Sequence, residues 1–188
     1  MRRNKAIIAV LSLAVILLTV LSQGTLAYYA ILDEAVNVVT SGDISAKIIE
    51  KMGDGDFPQE GVYVMPGSVI SKRVSVKNTG GHPFWLRVKL VNSVDGSTLP
   101  ADVTEFDFNS QDWIAREDGF YYYKNPVEPD AETENLFTQV TVVGDKVDSR
   151  YIGKALKITV KAYAVQSENN GTKVFEAAGW PAEGGGGV

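Results

Sequence analysis

The stretch "LKITVKAYA", Leu156 to Ala164, sets Leu156, Ile158, Val160, Ala162 and Ala164 on one parity and Lys157, Thr159 and Lys161 on the other. Side chains of a strand point to opposite faces in turn, so an unbroken period of two marks a β-strand with one face on a core. The pattern recurs upstream. Ile44, Ala46 and Ile48 alternate with Ser45 and Lys47, and Phe84, Leu86, Val88 and Leu90 alternate with Arg87 and Lys89. Ile70, Val74 and Val76 share a parity on which Lys72 is the one exception. Shorter candidates cover Val62 to Met65, Phe120 to Lys124 and Leu136 to Val143.

Turn chemistry separates these runs. Met65-Pro66-Gly67 suits a type II turn, because proline fixes φ at one position and glycine accepts positive φ at the next. Asn78-Thr79-Gly80-Gly81-His82-Pro83 is expected to be a hairpin loop. A short helical turn fits either Asp33 to Val39 or Asp145 to Gly153. The expectation is an all-β fold, a two-sheet jelly-roll-like β-sandwich of seven or eight strands. Periodicity alone does not rank the strand orders.

The first residues have a different character. Arg2, Arg3 and Lys5 precede an apolar-to-small run from Ala6 to Leu21. That run is shorter than the roughly 20 residues needed to span a bilayer core. Thr25 and Ala27 then supply the small residues a signal peptidase requires, which predicts cleavage between Ala27 and Tyr28. An uncleaved anchor is the alternative, and in both cases the body of the chain lies outside the cell. The predicted organisation is a signal peptide (1–27), an N-terminal segment (28–43), a sandwich domain (44–182) and a glycine-rich tail (183–188).

Loss of 27 residues from 188 leaves 161, enough for one core. The three basic residues lost take the formal charge from −5 to −8, which argues against nucleic acid and anionic membrane surfaces as partners. The membrane is then met only through the signal peptide. Cysteine is absent, so stability has to come from packing or from assembly.

Catalytic inventory is thin, and no enzyme activity or cofactor is expected. His82 is the only histidine, which rules out a His-Glu-x-x-His zinc helix, and no Gly-x-Ser-x-Gly elbow is present. Asp54 and Asp56 in "KMGDGDFPQ" offer oxygen ligands for calcium, but the loop runs into Phe57-Pro58 where an EF-hand would continue, so an acidic surface loop is the plainer reading. No metal site is assigned. In "GFYYYKNPVEP", Tyr121 and Tyr123 share one face of a strand and Tyr122 takes the other, fitting core packing or a sugar- or peptide-binding platform. Asn170-Gly171-Thr172 matches a glycosylation acceptor.

Several blocks, in order, resemble the TasA/camelysin family of secreted Gram-positive bacterial proteins, whose precursors are processed by a dedicated signal peptidase. They are "GTLAYYA" at the cleavage site, "NVVTSGDISAKI" (Asn37 to Ile48) and "VMPGSVISKRVSVKNTG" (Val64 to Gly80). "DWIAREDGFYYYKNPVEPDAETENLFTQVTV" (Asp112 to Val142) and "KITVKAYAVQSEN" with Trp180 complete the set. The resemblance implies a jelly-roll sandwich and an extracellular role as a matrix or fibre-forming protein of biofilms. It also brings the metallopeptidase label of camelysin, for which this chain offers only His82. The chain is shorter than the larger fibre subunits of that family, so a minor or accessory fibre component is equally allowed.

Cleavage would free a segment in which Tyr28, Ala30, Leu32, Val36 and Val38 share one parity, interrupted only by Glu34. Such a strand can add to the sheet of another copy or of a related matrix subunit, joining subunits head to tail. It can equally fold back as the first strand of its own domain. A rival reading is a surface module that binds polysaccharide or protein through the tyrosines and Trp85 or Trp113.

Overall fold

The computed structural model describes residues 29–39, 44–94, 100 and 102–183; at 29, 32–34 and 36–39 it describes the backbone alone. The predicted signal peptide, the cleavage pair Ala27 and Tyr28, and the tail after Glu183 lie outside the described residues.

Among the described residues eleven strands, more than the seven or eight expected, form two sheets packed face to face, the all-β sandwich that the alternation calls for. They are β1 (Tyr29–Val39), β2 (Ala46–Met52), β3 (Gly55–Asp56), β4 (Val62–Val64), β5 (Val69–Asn78) and β6 (Phe84–Val94), followed by β7 (Thr104–Phe106), β8 (Trp113–Ala115), β9 (Phe120–Tyr123), β10 (Phe137–Val142) and β11 (Ala155–Gln166). The six-stranded sheet has the order β4-β1-β11-β6-β9-β8 and the five-stranded sheet β3-β2-β5-β10-β7.

Between the sheets lies one apolar core. Ile48, Val74, Val76, Phe137 and Val140 come from the smaller sheet, and Leu86, Val88, Ile158, Val160 and Ala162 from the larger. Full burial of each aliphatic side chain of this kind contributes about 1.5–3 kcal/mol. β11 sits between β1 and β6, and residues of both its faces are buried, including Tyr163 and Val165 opposite the main core.

The Met65-Pro66-Gly67 turn forms as its composition requires: Gly67 has φ +83° and the Ser68 N–H donates to the Met65 carbonyl at 3.0 Å. Residues 78–83 depart from the expected hairpin loop. They form an arch from one sheet to the other, because β5 already pairs with β2 and β10, and β6 with β11 and β9. The buried Asn78 side chain pins that arch, donating to the carbonyls of His82 and Val127, both at 2.8 Å, and accepting from the Gly80 N–H at 2.9 Å. Of the two places for a helical turn, Asp33 to Val39 is strand, and the 3-10 turn forms at Ser149–Tyr151 under an Asp148 cap.

Candidate functional site: the seat of the first strand

β1 occupies a seat between β4 and β11. It runs parallel to β11 over ten residue pairs, from Ala30 opposite Ala155 to Val39 opposite Ala164. On its other side β4 pairs only with Tyr29, Ala30 and Ile31. From Leu32 onward no strand among the described residues borders that edge. A parallel pair cannot be closed by a tight hairpin, so the ladder to β11 and the short ladder to β4 hold the segment.

The register of this seat inverts the apolar pattern. Asp33, Ala35 and Asn37 are opposite the core residues Ile158, Val160 and Ala162, while Leu32, Val36 and Val38 are opposite Lys157, Lys161 and Tyr163. Ile31 lies in the core, yet Ala35, on the same parity, is exposed. Ala35 lines an open groove of about 720 Å³ together with Ile48, Glu50 and Phe57.

Beside this groove sits the exception in the β5 alternation. Lys72 is fully buried, its Nζ 3.1 Å from Glu50 Oε1 and 4.0 Å from the centre of the Phe57 ring. The Glu50 side chain is 9% exposed. An ammonium removed from water is tolerated only with carboxylate and ring partners of this kind.

On the outer face of the larger sheet, Trp85, Phe120, Tyr122, Tyr163, Val165 and Val174 form a second cluster, with Ala177 and Trp180 packed against it. Residues 167–183 form a strap over this face. The Arg87 guanidinium lies 4.0 Å from the Phe120 ring and 4.7 Å from the Trp180 ring, and Lys89 pairs with Glu183 at 2.6 Å. Burial pushes the Tyr122 and Tyr163 phenols above their usual pKa, so both stay neutral in the physiological range.

The residues singled out in the sequence fall in separate places. Ala30 pairs with both Tyr63 and Ala155, within the seat. Asp54 and Asp56 are exposed on the tight β2–β3 hairpin, and no group of three or more metal-ligating side chains exists among the described residues. His82 is exposed in the arch. Trp85 and Trp113 present no binding face in this fold: both are buried, with their indole N–H groups donated to the Asn170 and Glu134 carbonyls. Both faces of the tyrosine strand are packed, Tyr121 and Tyr123 on the main core and Tyr122 under the strap. The Asn170 amide is engaged with Gln166 and Ala178. Two features escaped the sequence reading: the Lys72–Glu50 pair, signalled only by the broken parity, and the strap, whose Trp180 lies outside any periodic run.

No helix among the described residues is long and apolar enough to cross a membrane. Comparisons with protein-family models, curated proteins and solved structures return no match.

Proposed function

We propose that this chain is an exported structural protein of an extracellular matrix, fibre-forming or fibre-associated, and that residues 28–39 act as a strand exchanged between copies. The observation that carries the reading is the seat of β1. A strand held by a parallel ladder and three pairs to β4 can be withdrawn and replaced by the same segment of another copy, re-forming the same hydrogen bonds. The register adds to this, since the apolar set at 32, 36 and 38 is not opposite the core parity of β11 in the chain's own seat. Head-to-tail exchange of this kind does not close on itself, so it yields filaments. The resemblance to the TasA group supports the same role and an extracellular or cell-surface location.

The test is electron microscopy of protein beginning at Tyr28, beside a version lacking residues 28–39. Fibres are expected from the first and none from the second. Fibres from both, or from neither, exclude strand exchange.

A further inference from the structure

The outer face of the smaller sheet carries its charges in two separate halves. On β2 and β5, Lys47, Lys51, Arg73 and Lys77 hold the parity opposite to the core residues Ala46, Ile48, Val74 and Val76, so they turn away from the core. The register sets Lys47 directly opposite Lys77 and Lys51 directly opposite Arg73. Among the described residues, none of the four has a carboxylate within ion-pair distance. Arg73 donates to the Gly53 carbonyl instead, and Asp56 on β3 is the carboxylate that the register brings to this half, opposite Lys51.

Beyond β5 the sign reverses. Glu132 is bridged opposite Lys77 and accepts from the Ser75 hydroxyl, so it lies on this same face. Glu134 is exposed two residues on, past the buried Thr133. Glu105 on β7 is exposed and stands opposite Thr141, whose neighbours Val140 and Val142 are in the core; Asp107 follows, held by Thr138 and Gln139. Like charges directly opposite each other destabilise a strand pair. The chain carries two such pairs on one face although its acidic residues outnumber its basic ones by 23 to 18. A neighbour that brings negative charge to β2 and β5 removes that cost.

A positive half beside a negative half makes a surface complementary to itself: turned by a half rotation about an axis through the boundary, each half meets its opposite. A foreign polyanion would answer the cations alone, whereas a second copy answers both halves. We propose that this face pairs two copies of the chain about a two-fold axis between β5 and β10, with the β2–β5 cations of each copy against the carboxylates beyond β5 of the other. The contact closes on itself, uses the smaller sheet alone and needs no exchanged strand. Where fibres grow through the seat on the larger sheet, it joins them side by side.

A charge swap tests this, read by sedimentation velocity on protein beginning at Tyr28, which keeps every described residue, after any fibres are cleared by centrifugation. The parent is expected to dimerise at low ionic strength and to return to monomer near about 1 M salt, where screening acts over about 3 Å. Lys47→Glu with Lys51→Glu, and separately Glu105→Lys with Glu134→Lys, should each weaken the dimer about tenfold or more. An equimolar mixture of the two should recover it, since each reversed half then meets its opposite. Association that either variant retains at the parental strength, or a mixture that fails to recover, overturns the proposal. So does a parent that stays monomeric, and poly-glutamate binding to that monomer would assign the cations to a foreign polyanion. Should a reversed variant fail to fold, Lys47→Gln with Lys51→Gln decides: a weakened dimer supports the pairing, and an unchanged one overturns it.

Discussion

The indole N–H of Trp85 lies 2.9 Å from the backbone carbonyl of Asn170, and through this bond β6 holds the strap that crosses the outer face of its own sheet. Arg87 and Lys89, farther along the same strand, meet Pro181 and Glu183 at the far end of the strap. Three side chains of β6 thus fasten a segment without regular strand structure, whose Ala177 and Trp180 pack against the second aromatic cluster. Its stability rests on a few named bonds, which makes it sensitive to single changes.

Gly171 is the first of these. It has φ +82°, and a Cβ there would come within 2.7 Å of the Glu176 Cβ. Gly171→Ala therefore combines left-handed strain with a clash, and it also displaces the Glu176 carboxylate from the Thr172 N–H and hydroxyl. The expected loss is about 2–3 kcal/mol in urea unfolding, with tryptophan emission shifting to the red as Trp180 is exposed.

Asn170 closes the strap on itself. Its amide donates to the Gln166 and Ala178 carbonyls and its oxygen accepts from the Ala178 N–H. Asn170→Asp keeps the acceptor but turns a carboxylate toward two carbonyls, at a cost of about 2 kcal/mol. A glycan on this nitrogen would have a similar effect, so peptide mass mapping of the folded protein should find Asn170 unmodified.

Acid should loosen the junction of β7 and β10. Burial raises the Asp107 pKa, but hydrogen bonds from the Thr138 hydroxyl and N–H and from the Gln139 N–H outweigh it and hold the group below its ordinary 3.8. A carboxylate with a lowered folded pKa stabilises the fold above the unfolded value, and that contribution is lost as pH falls through the folded one. Unfolding followed from pH 5 downward should show stability falling below about pH 4, and Asp107→Asn should flatten that slope. A slope unchanged by the substitution would assign the acid sensitivity elsewhere.

Legibility in the sequence followed the physics of burial. Leu156 to Ala164 announced β11 because one face meets a continuous core, and Pro66-Gly67 announced its turn because φ is fixed locally. β3, β7 and β8 are two or three residues long, too short for a period to appear. Residues 78–83 have a composition that serves a hairpin and an arch equally; the choice between them depends on which edges of β5 and β6 are already paired, which is a property of the whole sheet. β1 was legible as a strand segment but not in its register, since each parity of the segment carries one carboxylate, Asp33 or Glu34, among mostly apolar residues.

Assembly should depend on the surface beside the seat. β4 is a three-residue edge strand whose Tyr63 pairs with Ala30 of β1 and is 77% exposed; Met65 and Val69, on either side of the Pro66-Gly67 turn, are 43% and 60% exposed. Large apolar side chains collected around one turn cost little in a monomer but favour burial against another surface. If strands pass between copies at this seat, the arriving subunit is brought against this turn. Tyr63→Ser with Val69→Ser should therefore change monomer stability by no more than about 0.5 kcal/mol per site and still delay fibre growth. Light scattering at matched protein concentration measures the delay, and urea unfolding of the same samples measures the stability. Growth at the parental rate would place the contact between copies away from this turn.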